Sequence, residues 1–382
     1  MLVRKWFRGL PVMVVLAGCG SPNDPSPGHE LDSRFSSGES DALEVQAAAD
    51  PCSAANPNDT EPDDAALQAC LNRGGTVVLR PGGHGYILAR GVSITKSGTV
   101  LTSSAPPTQV RLVASAALDA PLLRAVDVDD VMVRYIEFDG NRPARTHRAD
   151  CHGYRLFGTN VQFHQASNWK FLNNRSTRAL CGSAFEVLGD HFEIGGNVFD
   201  DNGHGTEDAD APEPWADGIT LIRADEGYVH DNHVSDATDI GIVDGGGRNA
   251  RIENNIVTNV HRHAFAGIAL HVFHPPAGGG DHTGTVVSGN KISSPAHRIS
   301  LGLSLGMHPW DPSGTAVGGT VRDNAVGGAV INIAVDGVKD MSVTGNTFQL
   351  AGGTARCGGP AAEYTVAHAT NSTLQGGHVG RV

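Results

Sequence analysis

The chain has 382 residues, of which 40% are hydrophobic, enough for a sizeable core in one large domain or two ordinary ones. Its 49 glycines favour a turn-dense architecture over a helical one. The formal net charge of −13 argues against nucleic acid or an anionic membrane face as partner, and disfavours a polyanionic substrate unless local Arg, His or a bound cation inverts the field.

Residues 1–18 read as an export signal. Arg4, Lys5 and Arg8 form a positive start, and the apolar run Pro11 to Leu16 is too short to span a bilayer. Leu16-Ala17-Gly18-Cys19 resembles a bacterial lipobox, which implies cleavage before Cys19 and lipidation of its thiol. Gly20 after the cysteine implies an outer-membrane or surface destination, with the lipid anchor holding the protein to the outer membrane. Residues 19–50 are rich in Ser, Pro, Asp and Gly, a composition that buries too little apolar area to fold, and are expected to form a tether. The folded domain is expected over 51–382.

Export permits disulfides. Cys52–Cys70 and Cys151–Cys181 are the economical pairs among the cysteines after Cys19, leaving Cys357 over. The absence of C-x-x-C spacing excludes a zinc site of the usual cysteine type.

Asp59 to Leu71 carries a helical period with acidic residues gathered at its start, where the helix dipole favours them. Thr76 to Leu79 and Tyr86 to Leu88 read as strands around the turn Pro81-Gly82-Gly83. The stretch D-D-A-A-L-Q-A-C-L-N-R-G-G-T-V-V-L-R-P-G-G-H-G-Y-I-L (63–88) resembles the opening of the pectate-lyase superfamily. That resemblance implies an all-β fold, a single right-handed parallel β-helix whose first rung is covered by an N-terminal capping helix.

The rest of the chain repeats. Gly-Ile pairs stand at Gly218-Ile219, Gly241-Ile242 and Gly267-Ile268. Asn141, Asn173, Asn197, Asn232, Asn254, Asn290, Asn324 and Asn346 mark turns at gaps of 22 to 36 residues. Units of this size cannot bury a face alone, so they must stack as a solenoid. Asn suits such turns because it tolerates the left-handed backbone and can stack its amide on the next rung. Three insertions, 203–214, 274–283 and 308–314, are expected to rise as groove walls carrying Trp215 and Trp310, whose faces suit the stacking of sugar rings.

Asp217, Asp239, Asp244 and His263 recur near one point of successive rungs. Asp217 and Asp239 are 22 residues apart, and Arg298 follows His263 by 35. Rungs about 4.8 Å apart turn matching positions into a ladder. Carboxylates at such spacing suit glycoside hydrolysis, and their mutual repulsion raises one pKa and supplies a general acid. The order W-A-D-G-I (215–219), T-D-I (238–240), His263 and H-R-I-S (297–300) resembles the N-T-D-G-I, D-D-C, G-H-G and R-I-K series of polygalacturonase-type hydrolases. That resemblance implies Asp217 as general acid, Asp239 as a group that activates water, and Arg298 as a substrate contact; one Asp of the second motif and the Lys of the last are absent here.

A lyase or uronate epimerase is the second reading. It would use His263 or His271 as base, a cation such as Arg262 to neutralise the uronate, and Ca²⁺ held by Glu207, Asp208 and Asp210, although those acids lack the spacing of a known calcium loop. As a hydrolase the protein needs no cofactor. A glycan-binding or adhesive β-helix without catalysis is the third reading. Under all three the partner is a polysaccharide and the protein is a monomer.

Overall fold

The computed structural model describes residues 52–145, 151, 158–204, 215–273, 280–306, 308, 314–354, 360–375 and 377–379. Its architecture is a right-handed parallel β-helix. Short strands wind round three faces, and each pairs in parallel with the equivalent strand of the next turn. The face that matters here runs Val92–Ile94, Leu123–Val126, Val161–Leu172, Gly182–Gly195, Ala216–Asp225, Ile240–Asp244, Ala264–Leu270, Ile299–Leu305, Ile331–Lys339 and Ala362–Thr370. Among the described residues one pairing is antiparallel, Ser372–Leu374 with Gly377–Val379, at the C-terminal end.

The helix expected over 59–71 forms as Asp64–Leu71. Its first half is diverted because Asp63 accepts the Asn56 amide at 2.8 Å and Pro62 bridges to Ile87. Leu67, Cys70 and Leu71 are buried and close the end of the core. Cys52 is joined to Cys70, and Cys151 to Cys181. Residues 1–51, with the lipobox at Cys19, lie outside the described residues, as do Glu207, Asp208, Asp210, Trp310 and Cys357.

Inside the coil, like residues stack. Phe163, Phe171, Phe185 and Trp169 are all buried, and the Trp169 and Phe192 rings lie parallel at 4.6 Å. A line of buried amides runs down one corner through Asn174, Asn197, Asn232, Asn255, Asn290, Asn324 and Asn346. Each Oδ1 accepts the backbone N–H of the residue one rung back, as Asn255 does from Asn232 at 3.1 Å, and along the line the Nδ2 groups donate to the next Oδ1 at 2.9–3.0 Å. The corner's backbone polar groups are thereby satisfied without water.

Two of the sequence markers shift by one residue. In the doublets Asn173-Asn174 and Asn254-Asn255 the first residue takes the left-handed turn, at φ 54° and 56°, and the second carries the stacked amide. Asn141 belongs to another corner, where its amide donates to Ala114 O at 2.9 Å.

Candidate active site

From the Gly218 rung to the Gly302 rung this face kinks at one position, where the pairing skips the glycine. At Gly218, Gly241, Gly267 and Gly302 a Cβ would meet the carbonyl oxygen of the next rung at 2.5–2.7 Å and a Val or Ile side chain from the opposite wall. The glycine column therefore sits where backbones and walls approach too closely for a side chain. With the kink, the residues one before and two after it both lie on the outer face, an i, i+3 pair on each rung. Register gives these pairs as Ser183 with Glu186, Asp217 with Thr220, Ile240 with Val243, Ala266 with Ala269, and Leu301 with Ser304.

Along that face the chemistry changes abruptly. The earlier rungs are polar: Arg124 is in register with Gln162, Gln162 with Glu186, and Glu186 with Thr220. From Ile240 onward Ile240, Val243, Ala266, Ala269, Leu301, Ile331 and Ala334 form a second buried apolar cluster outside the main core, with Phe265 and Phe273 packed on it. The carboxylates lie at the polar side of this boundary.

Asp217 is nearly buried, at 6% exposure. Its Oδ1 accepts the Ile240 amide at 3.0 Å, and the Thr220 hydroxyl is 2.6 Å from its Oδ2. Burial, then the charge of Asp239, push its pKa well above the usual carboxylate range, while the two hydrogen bonds oppose the rise. Asp239 enters from the turn before Ile240, and burial pushes it up to about 7. Glu186 also contributes to holding the proton on Asp217. Glu186 is 2% exposed; its Oε1 accepts from Gln162 Nε2 at 2.8 Å and faces His164 Nε2 at 2.6 Å. Two hydroxyls extend from Asp217: Ser183 Oγ is 2.5 Å from Thr220 Oγ1, which reaches Asp217. Glu186, Asp217 and Asp239 thus occupy three consecutive rungs, Asp217 in surroundings that favour its protonated form and Glu186 approached by Gln162 and His164.

Asp217 and Asp239 come together as the sequence suggests. Glu186, Gln162 and His164 were not legible from motifs, because their rungs carry no D-G-I. The available signal was the i, i+3 spacing of Ser183 and Glu186, which matches that of Asp217 and Thr220. Trp215, at 40% exposure, stands two residues before Asp217 in the chain. His263 and Arg298 meet on the next two rungs, Nε2 against Nη1, as the register of Ala264 with Ile299 requires.

Three expected site residues sit elsewhere. Asp244 is in register with Leu221 and Leu270 and so points into the coil; it is fully buried and faces His282 Nδ1 at 3.3 Å. Burial is the largest influence on His282 and would lower its pKa, but the Asp244 carboxylate, the His271 carbonyl and Asp281 together reverse it and the net shift is upward. His271 is 1% exposed and lies two rungs past Asp217, beside His282 and with Nε2 3.1 Å from Ser304 Oγ; burial, reinforced by His282, lowers it to about 4. Arg262 is taken up by Asp201 at 3.1 Å and the His204 carbonyl at 3.2 Å, because Asp201 faces it from across the corner, sharing its carboxylate with Arg142.

No family model matches the chain, and no curated protein does. Solved structures do. Endo-xylogalacturonan hydrolase from Aspergillus tubingensis is similar at 13% identity and TM-score 0.57, over 85% of this chain and 91% of that one. Polygalacturonase from Erwinia carotovora ssp. carotovora is similar at 14% identity and TM-score 0.53, over 86% and 92%. Full-length tailspike protein 2 of the Escherichia coli O157:H7 bacteriophage CAB120 is similar at 8% identity and TM-score 0.54, over 83% of this chain but 40% of that one. The shared feature is the fold.

Proposed function

We propose that the protein hydrolyses a glycosidic bond of a polysaccharide laid along the outer face across Glu186, Asp217 and Asp239. The observation that carries this reading is the placement, one rung apart, of a buried acid whose surroundings favour its protonated form and a carboxyl group whose Oε1 both Gln162 and His164 approach. A carboxyl group whose surroundings favour its proton suits a general acid, and one held in place by side-chain contacts suits a base acting on water. Asp217 donates its proton to the leaving glycosidic oxygen. Glu186, oriented by Gln162 and His164, takes a proton from the water that attacks the anomeric carbon. Asp239 keeps the proton on Asp217 by repulsion, and Trp215 offers a ring face to a bound sugar.

β-Elimination is less well supported. It needs a cation to neutralise the uronate carboxylate beside the base, whereas Asp217 is surrounded by Asp239, Glu186, a hydroxyl and an amide. Two of the similar structures are named as glycan hydrolases, which accords with hydrolysis. We place the protein outside the cytoplasm, held at the outer membrane through Cys19 and the 19–50 tether. The two disulfides fit an oxidising compartment.

The test incubates the protein with a panel of neutral and acidic polysaccharides and follows reducing ends and ultraviolet absorbance together. Reducing ends should rise without absorbance, and D217N and E186Q should each abolish the rise. Absorbance growing in step with reducing ends would replace hydrolysis by elimination. Glycan binding without either signal would make the protein a binding module.

A further inference from the structure

We propose that His308, Asp336 and His368 form a binding site for a divalent transition-metal ion of the zinc class. The three residues come from successive turns near the C-terminal end. Asp336 lies in the strand Ile331–Lys339, His368 in the strand Ala362–Thr370 beside it, and His308 just beyond the strand Ile299–Leu305 on the other side. Asp336 is the common member: its Oδ1 is 2.6 Å from His368 Nδ1 and 3.6 Å from His308 Nδ1. One ligand atom from each residue falls within 4.8 Å of the other two, and the imidazole rings stand 4.9 Å apart.

That is close to what an ion needs. Nitrogen and oxygen ligands each about 2.1 Å from one zinc-class ion stand at most about 4.2 Å apart. A small rotation of His368, whose side chain is 68% exposed, closes the difference. His308 and Asp336 are fixed more firmly, at 17% and 22% exposure, and the His308 amide donates to the Asp336 carbonyl at 3.3 Å. The backbone makes room for the set. Gly337, at φ 81°, follows Asp336, and a Cβ there would lie 2.2 Å from Cδ2 of the His308 ring. His368 itself adopts a left-handed backbone at φ 42°, uncommon for a residue other than glycine.

Two imidazoles and one carboxylate are a borderline-soft set that selects zinc-class ions over Ca²⁺ or Mg²⁺, which demand oxygen. Three protein ligands leave a fourth position to water or to a group of a bound molecule. The site is four rungs beyond Asp217, about 19 Å along the axis. It stands apart from the hydrolytic reading, and its effect on the fold is to clip three turns together.

The experiment titrates chelator-treated full-length protein with Zn²⁺ by calorimetry and records the visible spectrum of a Co²⁺ adduct. One equivalent per chain is expected. D336N and H368A should each weaken binding at least about tenfold and abolish the Co²⁺ bands, since each removes a direct ligand. Because His368 is exposed, metal-free H368A should melt with the wild type, so lost binding will not reflect lost folding. Absence of saturable binding to the wild type overturns the proposal. So does binding that survives both substitutions, since the ion then sits among other histidines. Polysaccharide cleavage is not the readout, so failure here leaves the hydrolytic reading standing.

Discussion

His164 Nε2 stands 2.6 Å from Glu186 Oε1 across two adjacent rungs, and Gln162 donates to the same oxygen from the same side. An oxygen addressed by two side chains is held in one orientation, which a base acting on water requires. E186Q keeps the size and an acceptor but loses the proton-accepting role. It should lower kcat by about 10²–10⁴ while leaving the melting temperature within a few degrees of wild type. Steady-state kinetics beside a thermal melt check this, and wild-type kcat in E186Q would remove Glu186 from the chemistry.

Asp217 is held protonated first by burial and then by Asp239, so the alkaline limb of kcat/KM should lie above the ordinary carboxylic range. D239N removes the neighbouring charge, lets the Asp217 proton go more easily, and should move that limb to lower pH. A pH–rate profile of the two proteins decides; a limb that stays in place means that Asp239 does not act on the acid.

Stability should depend on pH with opposite signs at two buried groups. Asp239 rises from 3.8 unfolded to about 7 folded, so the stability tied to its protonated form is complete below 3.8 and lost as pH rises through 7. His271 falls from 6.5 to about 4, so its contribution is present above 6.5 and lost as pH falls through 4. The stability of D239N relative to wild type should therefore climb between about pH 4 and 7. That of H271Q relative to wild type should climb in the other direction, as pH drops through the same range. Urea midpoints measured across the window give both slopes, and parallel curves for variants and wild type would contradict the two shifts.

Asn255→Leu should be costly. It leaves the Asn232 amide without its acceptor and the Val229 carbonyl without its donor, both in a buried corner. At about 1–3 kcal/mol for each buried group left unsatisfied, a loss of about 2–6 kcal/mol is expected from urea unfolding. A loss below 1 kcal/mol would mean that water replaces the amide.

Gly241→Ala brings a methyl to 2.5 Å from the Gly267 carbonyl oxygen and 2.6 Å from Val257 Cγ1. About 1–3 kcal/mol of destabilisation is expected, because neither wall can retreat without moving a rung. Gly83→Ala, where the nearest atom is 4.0 Å away, is the control and should be close to neutral. Equal melts for the two variants would show that the column tolerates a side chain.

The repeat, the capping helix and the Gly-Ile ladder were legible because they are local: a turn residue, a short apolar run and a fixed stride. The Asp217–Asp239 pairing followed from that stride. Asp244 did not: it lies five residues after Asp239, on the other side of the strand, in register with Leu221 and Leu270, which face the core. Arg262 and His271 misled for a related reason. Charge and residue type mark candidates, but Asp201 and Ser304, which claim them, lie 61 and 33 residues away in sequence. Glu186 was hidden because its partners Gln162 and His164 come from the preceding rung, 24 and 22 residues earlier, with no motif on either strand.

The glycine kink also separates two tasks that an ordinary strand entangles. In a regular strand, changing an outward residue leaves the inward neighbours one position away on either side, so surface and core are read alternately. Here the bend and one inward residue stand between the two members of an outer pair, and each of these rungs presents two outward addresses three residues apart. The rungs with Ser183–Glu186 and Asp217–Thr220 carry polar side chains at those addresses, and the rungs with Ile240–Val243 and Ala266–Ala269 carry apolar ones, while Phe185, Ile219, Ile242 and Ile268 keep the interior the same. The fold can thus rewrite its working surface one turn at a time, like a line of type set on an unchanged bar.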